Sequence, residues 1–374
     1  MSEIFLSPGA PRAETAAVEL AVVVPSFNEC DNVEPLIERL ATCLDGIAWE
    51  VIYVDDDSPD GTAEAVRRLA RRDPHIRCVQ RIGRRGLSTA VIEGILATSA
   101  PYIAVIDADM QHDETLLPRM LAAAKAEHLD IVVGSRYMDG GAVGEWDKER
   151  VRISGVATRL AHLVVSAELT DPMSGFFVIR REAFDRAVRR LSGQGFKILL
   201  DLFASAPEPF RFRELPYRFR QRIHGESKLD TLVVWEYLML LLDKLFGRFV
   251  PTRFVLFGAV GSSGIFVNLV MLRLLLIVAP FPVAQAIATL AAMTSNFALN
   301  NLFTYRDKRL RGHRFFTGLL SFYAICAMGA VAGVGIASVA FEENYSWWLA
   351  GLAGALVGVV WNYAVSSVFT WRPK

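Results

Sequence analysis

The chain has 374 residues with 40 Lys and Arg against 40 Asp and Glu, so it lacks the basic excess that a nucleic-acid binder shows. Its four cysteines, Cys30, Cys43, Cys78 and Cys326, stand at no paired spacing, which argues against a disulfide framework or a zinc site. The length admits two or three domains, and near Arg253 the composition changes from densely charged to long apolar stretches. That change divides a soluble part from a membrane part.

Residues 1 to 18 have no basic start followed by an apolar core, so they read as a flexible tail and not as a signal peptide. From residue 19 short β-branched runs alternate with helical segments. "LAVVVPSFNE" leads into a helix from about Asn32, "EVIYVDDDSPDGT" into another through Ala70, and "IRCVQR" into "LSTAVIEGILAT". "YIAVIDAD" and "DIVVGSR" follow. The pattern predicts an α/β domain over 19 to 228 around a mostly parallel sheet, with ligands outside the carboxyl ends of the strands.

No G-x-G-x-x-G follows the first strand and no P-loop is present, so the usual nucleotide fingerprints are missing. Acidic residues stand at those strand ends instead: Glu29, the run Asp55-Asp56-Asp57, and the pair Asp107 and Asp109 in "AVIDADMQHDE". Two carboxylates one residue apart repel each other. They either terminate a strand and begin a helix or share a divalent cation. Arg136, Arg150, Arg222 and Lys228 come later and suit anionic phosphates. His112 and His224 adjoin these motifs, as phosphate contacts or as solvated loop histidines.

"TLVVWEYLMLLLDKLFGRFV" sets Glu236, Asp243, Lys244 and Arg248 on one arc of a helical wheel. Residues 229 to 250 are therefore expected to form interfacial amphipathic helices, with packing on the soluble domain as the alternative. Four spans are then predicted in a domain of residues 251 to 374, at about 254–278, 282–303, 315–341 and 346–369. Lys and Arg precede the first span, separate the second from the third and follow the last, whereas the loops "APFP" and "EENYS" have none. By the positive-inside bias, both termini of this multi-pass protein and its soluble domain are cytoplasmic. The second and fourth spans end alike: Asn296 matches Asn362, Phe303 matches Phe369, Thr304 matches Thr370 and Arg306 matches Arg372. A duplicated helical hairpin accounts for this. Glycines such as Gly264, Gly329, Gly333 and Gly354 are expected to let helices pack closely, and the asparagines to bond between helices.

In this order, "VVPSFNE", "VDDDSPDGT", "DADMQH", "GSRY", "WDKERVRIS" and "RIHGESKL" make residues 20 to 230 resemble the family-2 glycosyltransferases of GT-A (Rossmann-like) fold, of the dolichol-phosphate mannose synthase type. The ending "NFxxNxxFTYR" makes the membrane half resemble the four-span GtrA-like family. The resemblance implies that Pro25, Phe27, Glu29, Val54 and Asp56 hold the donor's nucleoside, with Phe27 in place of the family's Tyr. It implies that Asp107, Ala108, Asp109, Met110 and Gln111 line the donor, and that Asp107, Asp109 and Gln111 carry Mg²⁺ or Mn²⁺. Arg136, Arg222 and Lys228 would neutralise phosphate charge and serve catalysis with Asp109. Arg150 and Ser154 would bind the phosphate of a polyprenyl acceptor. "GFKILLD" would flank the acceptor, although Lys197 and Asp201 equally suit a helical pair. The implied reaction passes mannose from GDP-mannose to polyprenyl phosphate. UDP-glucose or another donor is the alternative, and a lipid-sugar translocator with a vestigial transferase half is the reading from another class.

Overall fold

The computed structural model describes residues 17–142, 159–165, 167–193, 195–220, 237, 239–244, 250–343 and 345–372. The chain forms two compact units, Met1–Leu245 and Phe246–Lys374.

In the first unit the apolar runs become strands that the core covers. β1 (Leu20–Ser26) and β2 (Trp49–Asp55) are buried along their whole length, as strands covered on both faces must be. They are followed by β3 (Ile76–Gln80), β4 (Tyr102–Val105), β5 (Ile131–Ser135), β6 (Phe177–Arg180) and β7 (Phe212–Pro216). The sheet order is β3-β2-β1-β4-β6-β5-β7. All neighbours are parallel except β6, which runs antiparallel to both β4 and β5. Helices α1 (Cys30–Cys43), α2 (Thr62–Ala70), α3 (Leu87–Leu96), α4 (Leu117–Ala126), α5 (Arg181–Ala187) and α6 (Ile198–Ser205) connect the strands. Two apolar clusters, one on each face, form the core.

This order places the carboxyl ends of β2, β1 and β4 side by side. The antiparallel β6 begins at that same edge, because Val105 pairs with Phe177. The loops after these strand ends bend sharply. Among the described residues, three of the four non-glycine positions with positive φ lie in these loops: Asn28 at 59°, Asp57 at 58° and Met110 at 58°.

The segment expected at the membrane interface is described at Tyr237 and at 239–244, which are helical. Tyr237, Leu240 and Leu241 are buried in the apolar cluster of the soluble unit. Lys244 Nζ lies 2.5 Å from Asp201 Oδ1 and donates to Ser205 Oγ at 2.7 Å. For these residues the interfacial expectation gives way to packing on the soluble unit, because their apolar face completes its core. Lys197 likewise yields to Lys244 as the partner of Asp201.

The second unit contains α7 (Thr252–Leu275), α8 (Phe281–Leu299), α9 (His313–Glu342) and α10 (Trp347–Phe369). Among the described residues three segments are long and apolar enough to cross a bilayer: Thr252–Leu275, His313–Ala340 and Gly351–Phe369. The expected fourth, α8, has 19 residues and is diluted by Gln285, Thr289, Thr294, Ser295 and Asn296.

The two hairpins repeat in detail. A Cβ on Gly264 of α7 would stand 2.5 Å from the amide of Asn296 on α8, and one on Gly329 of α9 would collide with Asn362 on α10. After each hairpin the chain closes the same turn. Tyr305 N–H donates to Asn300 O at 2.8 Å and Trp371 N–H to Ser366 O at 3.0 Å. The Tyr305 and Trp371 rings stack on each other with centroids 4.1 Å apart. Gly264→Val should therefore force α7 from α8 and destabilise the unit by about 1–3 kcal/mol. Thermal unfolding of the full-length protein in detergent measures this, and an unchanged midpoint would mean that the crossing is loose.

Candidate active site

Each acidic loop at the sheet edge has a distinct local fate. At the end of β1, Glu29 Oε2 accepts from Asn32 Nδ2 at 2.6 Å, and the Glu29 N–H donates to Thr62 Oγ1 at 3.0 Å. The Arg85 guanidinium sits 4.1 Å from the centroid of the Phe27 ring, so one face of that ring carries a cation over it. At the end of β2, Asp55 Oδ1 and Oδ2 accept from the Ser58 hydroxyl and N–H, which closes the turn. Asp57 accepts from Gln80 Nε2 and from the Gly83 N–H.

Asp56 is bound through both oxygens. Arg81 Nη1 donates to Oδ1 at 2.6 Å and the Gly86 N–H to Oδ2 at 2.7 Å. Burial raises the Asp56 carboxyl above its ordinary value, and Gly86 and Arg81 offset only part of that rise. Arg81, 3% exposed, also donates to Thr89 Oγ1, so the Asp56 pair holds the start of α3 against the site. Pro25 and Val54 are register partners in β1 and β2. Pro25 is buried in its strand and Val54 is fully buried. The Val54 side chain packs in the core beneath the site.

The β4 end is built differently. Asp107 is about one-third exposed, with a side-chain value of 35%, whereas Ala108, Asp109 and Met110 are at most 5% exposed. Asp109 Oδ1 accepts from the Gln111 N–H at 3.1 Å. Gln111 Nε2 donates to Arg220 O at 3.1 Å, which leaves the Gln111 amide oxygen without a hydrogen-bond partner among the described residues. A Cβ on Gly175 would stand 3.1 Å from Asp107 Oδ2, a tight contact that would press on this carboxylate where β6 begins.

Two carboxylates and a neutral amide oxygen suit a hard cation such as Mg²⁺ or Mn²⁺. Among the described residues no group of three or more His, Cys, Asp or Glu forms a metal cluster. A set of two acids and a glutamine would keep coordination positions open for a diphosphate, so the residues fit the cation expected from the sequence.

Arg136, just after β5, forms a bidentate pair with Asp171, at 2.7 Å from Nε and 2.8 Å from Nη2. Its guanidinium carbon also lies 5.3 Å from the Phe219 ring centroid. Burial works against the Arg136 charge, but Asp171 outweighs it and holds the guanidinium above its ordinary value. Arg136 is thus a fixed cation whose charge is already matched. Arg220 binds Glu114 and Asp113, both at 2.7 Å. Arg150, Ser154, Arg222, His224 and Lys228 lie outside the described residues.

His112, considered for a solvated loop, is 2% exposed and bonded to Asp107 and Tyr217. Sequence reasoning passed over Arg81, Asp171 and Tyr217. Only Arg81, in "VQRIGRRG" directly after a strand, had a local signal.

The chain matches the glycosyl transferase family 2 domain over residues 21–187 and the GtrA/DPMS transmembrane domain over residues 256–371. The dolichol-phosphate mannosyltransferase of Pyrococcus furiosus is 32% identical over 357 residues, which cover 95% of this chain and 99% of that protein. The protein of the same name from Saccharomyces cerevisiae is 34% identical over 64% of this chain and 92% of its own length. Among solved structures, mannosyl-3-phosphoglycerate synthase from Rubrobacter xylanophilus aligns at 19% identity and a TM-score of 0.44, over 62% of this chain and 75% of that one. The likeness to the Pyrococcus protein runs through both units, and the two matched domains stand in the same order as the transferase-like sheet and the apolar helices. This membrane protein is a glycosyltransferase that belongs to the dolichol-phosphate mannosyltransferase family.

Proposed function

We propose that the enzyme transfers mannose from GDP-mannose to a polyprenyl phosphate of the dolichyl type at the cytoplasmic membrane face. The products are polyprenyl-phosphate mannose and GDP. The observation that carries this reading is the meeting of the β1, β2 and β4 loops at one sheet edge, within a chain whose relatives bear the name dolichol-phosphate mannosyltransferase.

The chemistry is displacement at the sugar's anomeric carbon. An oxygen of the lipid phosphate forms the new bond to that carbon, and the bond to the donor's β-phosphate oxygen breaks. A phosphate monoester's second pKa is about 6, so the nucleophile is largely ionised near neutral pH and needs no strong general base. The protein must align two anions that repel each other and stabilise the departing diphosphate. Asp107, Asp109 and Gln111 would hold Mg²⁺ or Mn²⁺, which when bound offsets charge on the diphosphate. The Asp56–Arg81 pair fixes the wall beside Phe27 and Glu29, where the nucleoside is proposed to lie. Because Asp171 already neutralises Arg136, the remaining positive charge is assigned to Arg222 and Lys228 for the donor, and to Arg150 with Ser154 for the acceptor phosphate. The Lys and Arg distribution supports a cytoplasmic transferase unit, and the match between the hairpins supports α8 as a fourth span.

The test incubates purified full-length protein with polyprenyl phosphate, Mg²⁺ or Mn²⁺, and a panel of labelled nucleotide sugars. GDP-mannose should give an organic-extractable mannolipid, and EDTA should suppress it. Preference for UDP-glucose would overturn the donor assignment. Failure of every donor would overturn transfer to a lipid phosphate and favour the translocator reading.

A further inference from the structure

Among the described residues, the chemistry above leaves a buried nitrogen base, His112, unused. His112 is stacked on Phe176 with ring centroids 5.3 Å apart, and the Tyr217 and Phe219 rings lie 5.6 and 5.5 Å from it. Its Nε2 is 3.1 Å from Asp107 Oδ2, and its Nδ1 is 2.8 Å from the Tyr217 hydroxyl. A carboxylate oxygen offers only lone pairs, so the first contact is a hydrogen bond only when Nε2 carries the proton. A neutral imidazole then has a bare Nδ1, which requires a donor. The Tyr217 hydroxyl, 2.8 Å away, stands where such a donor is needed. Burial raises it well above the ordinary tyrosine range, so it keeps its proton.

Tyr217 occupies an informative place in the chain. It follows β7 directly, and three residues later the Arg220 N–H donates to Gln111 O at 2.8 Å while Arg220 O accepts from Gln111 Nε2. The same short stretch is tied to the loop after β5, since the Ala142 N–H donates to Tyr217 O and the Phe219 N–H to Ala142 O. Four consecutive residues therefore hold two of the proposed cation ligands, Gln111 directly and Asp107 by way of His112. The segment with Arg222 and Lys228 begins immediately afterwards.

We propose that Tyr217 and His112 are positioning residues for the cation site: the Tyr217 hydroxyl fixes His112 as the Nε2–H tautomer, and that N–H holds the Asp107 carboxylate in one orientation. The proposal rests on the cation reading given above. A histidine held this way behaves like the hydrogen-bonding partners that orient metal ligands elsewhere, whose loss costs metal affinity although they never touch the ion.

The experiment uses full-length protein labelled with ¹⁵N-histidine in detergent, without metal, and reads the ring nitrogens by long-range ¹H–¹⁵N correlation. The His112 signal is assigned as the one lost in His112→Gln. The expected result is a neutral ring protonated at Nε2 in the parent and a loss of that single-tautomer preference in Tyr217→Phe. In parallel, Mn²⁺ binding in the presence of GDP is followed by electron paramagnetic resonance. Tyr217→Phe should weaken it about 10-fold. An Nδ1–H ring or a doubly protonated ring in the parent would overturn the relay, as would Mn²⁺ affinity in Tyr217→Phe equal to that of the parent. A parent with the Nε2–H tautomer that binds no Mn²⁺ would overturn the cation reading and the proposed role of the relay while leaving the tautomer assignment standing.

Discussion

Asp109→Asn is expected to lower the rate of sugar transfer by on the order of 10²–10³-fold, with membrane insertion unchanged. Asparagine is the right replacement because Asp109 also shapes the turn after β4, where its Oδ1 accepts the Gln111 N–H at 3.1 Å. The amide keeps an acceptor there and removes the charge. What is lost is one of two anionic ligands in a set whose third member, Gln111, is neutral, so the cation and the diphosphate bound with it are held less firmly. Incorporation of labelled mannose into lipid measures the effect. Undiminished transfer would remove Asp109 from the cation site, and loss of the folded protein from the membrane fraction would show that the turn itself had failed.

The second large effect concerns stability. Lys244→Met should destabilise the transferase unit by about 3–5 kcal/mol, the usual cost of leaving one member of a buried ion pair alone. Asp201 is fully buried and accepts from the Ser192 N–H and hydroxyl, the Gly193 N–H and the Ser205 hydroxyl, in addition to Lys244. Without the lysine its charge has no counterion inside the core. Asp201→Asn combined with Lys244→Met removes both charges and should recover much of the loss, because the asparagine oxygen can still accept from the loop. Thermal unfolding of the full-length protein in detergent would show a large fall for the single variant and a smaller one for the double. Equal stability of parent and single variant would mean that water reaches Asp201.

How much of this could be read from the sequence depends on the range of each interaction. β1, β2 and β4 were legible because each is a short apolar run with an acidic residue at its end or within three residues of it, and their parallel pairing follows from the helices between them. β6 was not, because "FVIR" is four residues long and its antiparallel place between β4 and β5 leaves no local period. In the proposed cation loop the Asp107 and Asp109 pair was legible as two carboxylates after a strand, and Gln111 entered only through the family resemblance. The supports of the site were not legible: Arg81 meets Asp56 across 25 residues, Arg136 meets Asp171 across 35, and His112 meets Tyr217 across 105. Lys244 shows the same limit. On a helical wheel it belonged to a polar arc facing water or headgroups, but in the fold it is the counterion of a buried aspartate. The duplicated hairpin was legible because the repeat preserves residue identities at matching positions, including Asn296 with Asn362.

Met110 gives the proposed cation loop a property that Asp107, Asp109 and Gln111 alone would not supply. Its backbone is left-handed, at a cost of about 1–3 kcal/mol for a residue other than glycine. Its side chain is 2% exposed within the apolar cluster that α1, α4 and the sheet share, and burial of a methionine contributes about 1.5–3 kcal/mol. The two quantities are comparable, so the core holds open a turn that the local chain would otherwise relax. Asp109 and Gln111, on either side of Met110, are thereby preorganised before any ligand arrives. A loop already ordered in this way loses little entropy when it is occupied, and that saving appears as affinity.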